Sequence, residues 1–179
     1  VSKSRAKGTA AETLVVRYLQ STYWPHAERR ALAGGQDKGD ITGTPGLAWE
    51  VKSAKTLCVP AWLRETEAER VNAKADYATL VIKPTGIGAG RVGQFYALLG
   101  RGFFGDMMQE RPFSHWDRTY SFEATIRKMN FPAALDNVAF NVRTHGLKYG
   151  WVYYPEFILT DLSTMCDLMF LAGYGSNNN

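Results

Sequence analysis

The sequence predicts an α/β fold in which a mixed β-sheet is flanked by helices and followed by an α-rich C-terminal extension. Through about residue 100, helix-period and strand-type segments run in the order α-β-β-β-α-β-β, which a sheet covered by helices accommodates. Beyond about Arg111 the apolar spacing turns helical, at Phe122, Ile126 and Met129 and again at Leu162, Met165, Cys166, Met169 and Phe170. A chain of 179 residues that is 45% hydrophobic can bury a core without staples, so one core over residues 1–110 is expected. Residues 111–179 are then an extension packed on that core or in a dimer interface, not clearly a domain of their own.

The first helix is predicted over Thr9–Gln20, where Leu14, Val15, Tyr18 and Leu19 form one stripe and Thr9-x-x-Glu12 fits a capping box. "HAERRAL" reads as a strand ending at the Gly34-Gly35 break. From about Asp40 to Ala54 a hairpin is expected around Thr44-Pro45-Gly46, since proline suits the second turn position and glycine the positive φ after it. Pro60 opens a second helix through about Lys74, with Glu65, Glu67 and Glu69 read as N-terminal acids and Arg70 and Lys74 as C-terminal bases that suit the helix dipole. "YATLVIK" is a buried strand, "GQFYALL" another, and the glycine cluster "PTGIGAGRVG" the loop between them, without the Gly-Lys-Ser/Thr of a nucleotide-binding loop. "GRGFFGDMMQE" reads as a short helix, "YGWVYY" as a strand, Thr160 or Asp161 as the cap of the last helix, and "GSNNN" as a frayed end.

A formal charge of +4 and a pI near 9.1 permit a polyanionic partner without requiring one. Cys58 and Cys166 are far apart, which argues against a disulfide framework and for a reducing compartment. "VSKSRAKG" leads into an amphipathic segment instead of the apolar centre of a signal peptide, and no apolar run could span a bilayer. The expectation is a soluble cytoplasmic protein with no membrane partner. His26, His115 and His145 lack ligand spacing with one another or with the cysteines, so no zinc site is expected.

Three charges in the predicted hairpin "KGDITGTPGLAWEVKSA" need a reason. Side chains alternate along a strand, so Glu50 and Lys52 share a face while Val51 points the other way. The turn brings Asp40 back towards them. Two carboxylates in a partly covered site repel unless a positive charge offsets them, and a divalent cation with oxygen ligands supplies it. Such a cation polarises a phosphodiester and activates a bound water, while Lys52 orients that water or neutralises developing charge. The competing reading is a solvated face with a weak Glu50–Lys52 ion pair.

The run "GDI" followed by "WEVKSA", after a helix carrying an acidic residue, resembles the PD-(D/E)xK nuclease superfamily, with Asp40 as its aspartate and Glu50-Val51-Lys52 as its ExK. Gly39 stands where the motif has proline. The surrounding elements are similar to those of archaeal-type Holliday junction resolvases and their phage-encoded relatives, and the similarity covers roughly the first hundred residues. The resemblance implies a restriction-endonuclease-like sheet. It implies Mg2+, with Mn2+ as a substitute, held by Asp40, Glu50 and the backbone carbonyl of Val51. It gives Lys52 the water-activating role and Glu12 that of the helix-borne acid, although Glu12 is equally explained as a helix cap. Lys7, Arg29, Arg30, Lys38 and Lys55 can form a phosphate track. Asp37 is read as a loop charge.

The expected activity is a Mg2+-dependent, structure-selective DNA endonuclease, a Holliday junction resolvase that acts as a homodimer on four-way junctions and leaves 5′-phosphate and 3′-hydroxyl ends. Its setting is the cytoplasm, or the host cytoplasm if the chain is phage-encoded. Another nuclease of the same superfamily, restriction-type or exonuclease, and a non-catalytic nucleic-acid-binding module are the alternatives. The Met-rich stripe from Leu162 to Phe170 is read as either core or dimer contact.

Overall fold

The computed structural model describes residues 3–31, 36–100, 152–153 and 157–176. Its elements are α1 (Lys3–Ser21), β1 (Glu28–Arg29), β2 (Ile41–Thr42), β3 (Leu47–Lys52), α2 (Val59–Ala73), β4 (Tyr77–Ile82), a 3-10 turn (Ala89–Gln94), β5 (Tyr96–Gly100), β6 (Val152–Tyr153), β7 (Phe157–Asp161) and α3 (Leu162–Leu171). The main sheet has the order β3-β4-β5-β7-β6, and β1 and β2 form a separate two-stranded sheet. Strands β3 and β4 run parallel, joined through α2, and the other neighbours are antiparallel. The fold is thus α/β with a mixed sheet flanked by helices.

Period-two alternation sorts the strand residues onto two faces. Trp49, Val51, Val81, Ala97, Leu99 and Ile158 pack with Val15 and Leu19 of α1 and with Leu162, Met165 and Met169 of α3. Leu80, Ile82, Leu98 and Leu159 pack on the opposite face with Val59, Trp62 and Leu63 of α2. The stripe from Leu162 to Met169 is therefore core, and Asp161 caps its helix by accepting from the Thr164 N–H at 2.8 Å. Phe170 stacks on Tyr23 with ring centroids 4.2 Å apart.

Three expectations change. Helix α1 begins at Lys3, six residues before the predicted cap, so Thr9 lies inside it and accepts at its carbonyl from the Thr13 hydroxyl. The capping-box role of Glu12 is gone. In α2 no acidic residue lies in the first turn; Glu67 instead forms an ion pair with Arg70, and Lys74 closes the helix in the left-handed region at φ 53°. Finally, a strand not foreseen, β7, joins the sheet beside β5. Part of the segment expected as an α-rich extension is thus a central strand of the core. The helices predicted at "GRGFFGDMMQE" and around Phe122, Ile126 and Met129 lie outside the described residues. Among the described residues no helix is long and apolar enough to cross a membrane.

Candidate functional site

The turn forms where proline and glycine predict it: Gly46 has φ 77° and the Leu47 N–H donates to the Thr44 carbonyl at 3.0 Å. The two arms do not zip into a hairpin ladder. Strand β2 pairs with β1, and the Arg30 N–H extends that pairing by donating to the Asp40 carbonyl at 2.7 Å. Beyond the turn, the hydrogen bonds to β3 are made at Asp40. Its N–H donates to the Trp49 carbonyl at 2.8 Å, and its Oδ2 accepts from the Val51 N–H at 2.8 Å, a donor that a hairpin ladder would give to a backbone carbonyl. Asp40 is thereby fixed beside the β3 edge of the sheet, half-buried.

Glycine at position 39 has a local reason. It has φ 83°, and a Cβ there would lie 2.9 Å from the Trp49 carbonyl oxygen. Proline, held near −65°, cannot make that approach. The Arg30 guanidinium braces the same loop by donating to the carbonyls of Gly39 at 3.1 Å and Ile41 at 3.3 Å.

Glu50 and Lys52 share the face of β3 that α2 covers. The Lys52 Nζ lies 2.5 Å from Glu50 Oε1 and 2.9 Å from Glu65 Oε2. One helical turn beyond Glu65, on the same side of α2, Glu69 is only 5% exposed and its Oε2 is buried without a hydrogen-bond partner. Glu50 is almost as buried, at 6%. Glu50 and Glu65 therefore share one lysine, with the Glu69 carboxyl on the same side of α2 as Glu65.

Their protonation reflects this crowding. Burial, then the Glu50 charge, raises the Asp40 pKa from 3.8 to about 7, against the lowering effect of the Val51 N–H. Glu50 is pushed up to about 7 by burial and by Glu69, although its hydrogen bond with Lys52 opposes the shift. Burial and the nearby Asp37 raise Glu69 to about 7 as well. Burial alone would lower Lys52, but its bonds with Glu50 and Glu65 outweigh that and raise its pKa, so it stays a cation.

Glu12 stands close enough to Asp40 to raise its pKa further, and it accepts from Arg29 at 2.8 Å (Nε) and 2.6 Å (Nη2). Arg29 and Arg30, expected in a phosphate track, are thus engaged within the fold. Lys7, Lys38 and Lys55 are exposed. A cleft of about 290 Å³ lies behind the turn, lined by Arg30, Thr44 and Lys74 among others, and none of the clustered carboxyls borders it.

Sequence reasoning brought together Asp40, Glu50 and Lys52 and missed Glu65 and Glu69. The missed signal was their spacing of four within a helix that directly follows the ExK strand. Among the described residues, no group of three or more His, Cys, Asp or Glu side chains is placed to hold a metal ion. No protein-family model, curated protein or solved structure matches the chain.

Proposed function

We propose that the chain is a Mg2+-dependent, structure-selective DNA endonuclease that resolves four-way junctions as a homodimer, a two-fold pair of sites being what two symmetric cuts require. The observation that carries this reading is the convergence of Asp40, Glu50 and Lys52 at the sheet edge, in the arrangement that the PD-(D/E)xK motif implies. Burying like-charged carboxyls without a function is costly.

The residues fit a hard cation. The donors are all oxygens, the carboxyls repel one another when ionised, and Glu69 Oε2 has no partner. Asp40, Glu50 and the Val51 carbonyl would hold Mg2+, with Mn2+ able to replace it. When bound, the ion would offset the carboxylate charge and stabilise negative charge growing on a phosphodiester.

Lys52 suits orientation of the attacking water and neutralisation of the phosphate better than proton abstraction, because its two carboxylate partners keep it charged. Addition of water to phosphorus expels the 3′-oxygen, which leaves as a 3′-hydroxyl, and the phosphate stays on the 5′ end. Arg29 holds Glu12 beside Asp40, which makes Glu12 a positioning residue. Lys7, Lys38 and Lys55 remain available for backbone phosphates, each steepening the salt dependence of binding by about one counterion.

A panel of four-way junction, linear duplex, single strand and plasmid, each with Mg2+ and with chelator, tests the proposal. Paired incisions confined to the junction and abolished by chelator are expected. Cutting of linear duplex at equal rate would move the chain to another nuclease class, and junction binding without any cutting would make it a binding module.

A further inference from the structure

We infer that the cleft behind the Thr44–Leu47 turn binds a phosphate of the DNA backbone, away from the phosphate to be cut. The inference rests on the reading of the chain as a DNA endonuclease and gives it a second point of attachment to its substrate. The cleft, of about 290 Å³, is lined by Arg30, residues 42–47 and residues 73–75. Two cations and no carboxylate stand among these residues, so the local charge favours an anion. No aromatic ring stands among them either, which removes base stacking and leaves the sugar–phosphate chain, the part of DNA that every sequence shares. Asp76 follows directly but is not in the lining, and its carboxylate accepts from the Tyr174 hydroxyl at 3.0 Å.

Lys74 carries the strongest signal. It is exposed, joins no ion pair among the described residues, and is the one non-glycine residue among them with a positive φ, 53°. Left-handed backbone at a helix end is the usual place of glycine, since a side chain there strains the chain. A lysine kept in that conformation beside a cleft points to a use for its charge, as strained backbone does at ligand sites. Arg30 is the second cation. Its Nε and Nη2 donate to the Gly39 and Ile41 carbonyls, which fixes the guanidinium plane and leaves Nη1 for a ligand. Thr42 adds a hydroxyl without a partner among the described residues, whereas that of Thr44 is spent on the Leu47 carbonyl.

The carbonyls that brace Arg30 flank Asp40, and the Arg30 N–H itself donates to the Asp40 carbonyl at 2.7 Å. A phosphate docked on Arg30 is therefore tied to the backbone that carries Asp40. Arg30 and Lys74 are positioning residues, which set the register of DNA on the protein without reading its sequence.

Binding of a fluorescent four-way junction in chelator, where cutting is stopped, tests the inference over a series of salt concentrations. The proteins compared are wild type, Lys74→Gly and Arg64→Ala, the last an exposed cation of α2 outside the cleft. Glycine suits the left-handed backbone, so Lys74→Gly should melt at or above the wild-type temperature. Its affinity should fall by about threefold or more at low salt and its salt slope should flatten by about one counterion, while Arg64→Ala moves affinity less than about twofold. Unchanged affinity and slope in Lys74→Gly, or an equal loss in Arg64→Ala, would overturn the inference and leave the proposed function standing. Absence of junction binding by the wild type, in chelator or with Mg2+, would overturn both. Micromolar binding of inorganic phosphate that needs Lys74, with junction affinity unchanged in Lys74→Gly, would assign the cleft to a free anion and likewise overturn the inference. If circular dichroism shows Lys74→Gly unfolded, Lys74→Asn, which also tolerates this backbone, carries the same comparison.

Discussion

The two faces of strand β3 are built from adjacent residues under the same cover, yet they are chemically opposite. Trp49 and Val51 enter a dry layer against α1 and α3, while Glu50 and Lys52, one position over, meet Glu65 and Glu69 of α2. Both faces are covered by helix, so solvent access does not explain the charges. The odd face follows the ordinary rule that burial of apolar area stabilises the fold, at roughly 25 cal/mol per Å². The even face runs against that rule, and the proposed function is the reading that gives its charges a use.

The largest effect on folding should come from the dry face. Trp49→Ala removes a fully buried indole and should destabilise by roughly 3–5 kcal/mol. Chemical denaturation measures it, and a loss near zero would mean that the layer under α1 is not the core. On the charged face the outcome should invert. Asp40→Asn or Glu50→Gln keeps shape and removes charge, so cleavage should fall by orders of magnitude while stability at pH 8 without metal stays level or rises. Parallel loss of folding and cleavage would make the two faces equivalent and break the contrast.

A pH titration of stability sharpens it further. Asp40 has its pKa raised in the folded chain from 3.8 to about 7, and Glu50 and Glu69 rise from 4.5 to about 7. Each folded value exceeds the unfolded one, so these groups add stability below about pH 4 and lose it as pH climbs through about 7. In chelator the melting temperature should therefore decline between those values, with about 2–4 °C for each kcal/mol lost. Asp40→Asn should flatten the slope; an unchanged slope in that variant would mean that the carboxyls do not interact. The smallest change is expected at Glu65, whose side chain is 52% exposed. Glu65→Ala should alter stability by at most about 1 kcal/mol and cleavage only a few-fold, because Lys52 retains Glu50.

What could be read from the sequence was local. The Thr44–Leu47 turn, Pro60 at the start of α2, the alternation at Glu50 and Lys52, and the Asp161 cap each depend on residues within a few positions of one another. The errors came from partners distant along the chain. Strand β2 pairs with β1 while the Asp40 side chain takes the Val51 N–H, and nothing in "GDITGTPG" announces either. Strand β7 passed unnoticed because Phe157, Ile158 and Leu159 make a run too short to separate from helix onset, and its partner β5 lies far upstream. Glu69 was read as a dipole charge since only the packing of α2 on β3 reveals which side of the helix it occupies. Glu12 likewise drew its meaning from a capping pattern, which the true start of α1 dissolves.

Gly100 and Phe157 are register partners at the open end of the β5–β7 pair. Cross-strand partners stand about 5 Å apart, so two residues far apart along the chain sit side by side in the sheet. The elements that carry the charged cluster, the approach to β2, β3 and α2, all precede Gly100, whereas the strand that flanks β5 on its other side arrives only with Phe157. The platform beneath the cluster therefore takes its charged edge from one stretch of the chain and one of its supporting strands from another.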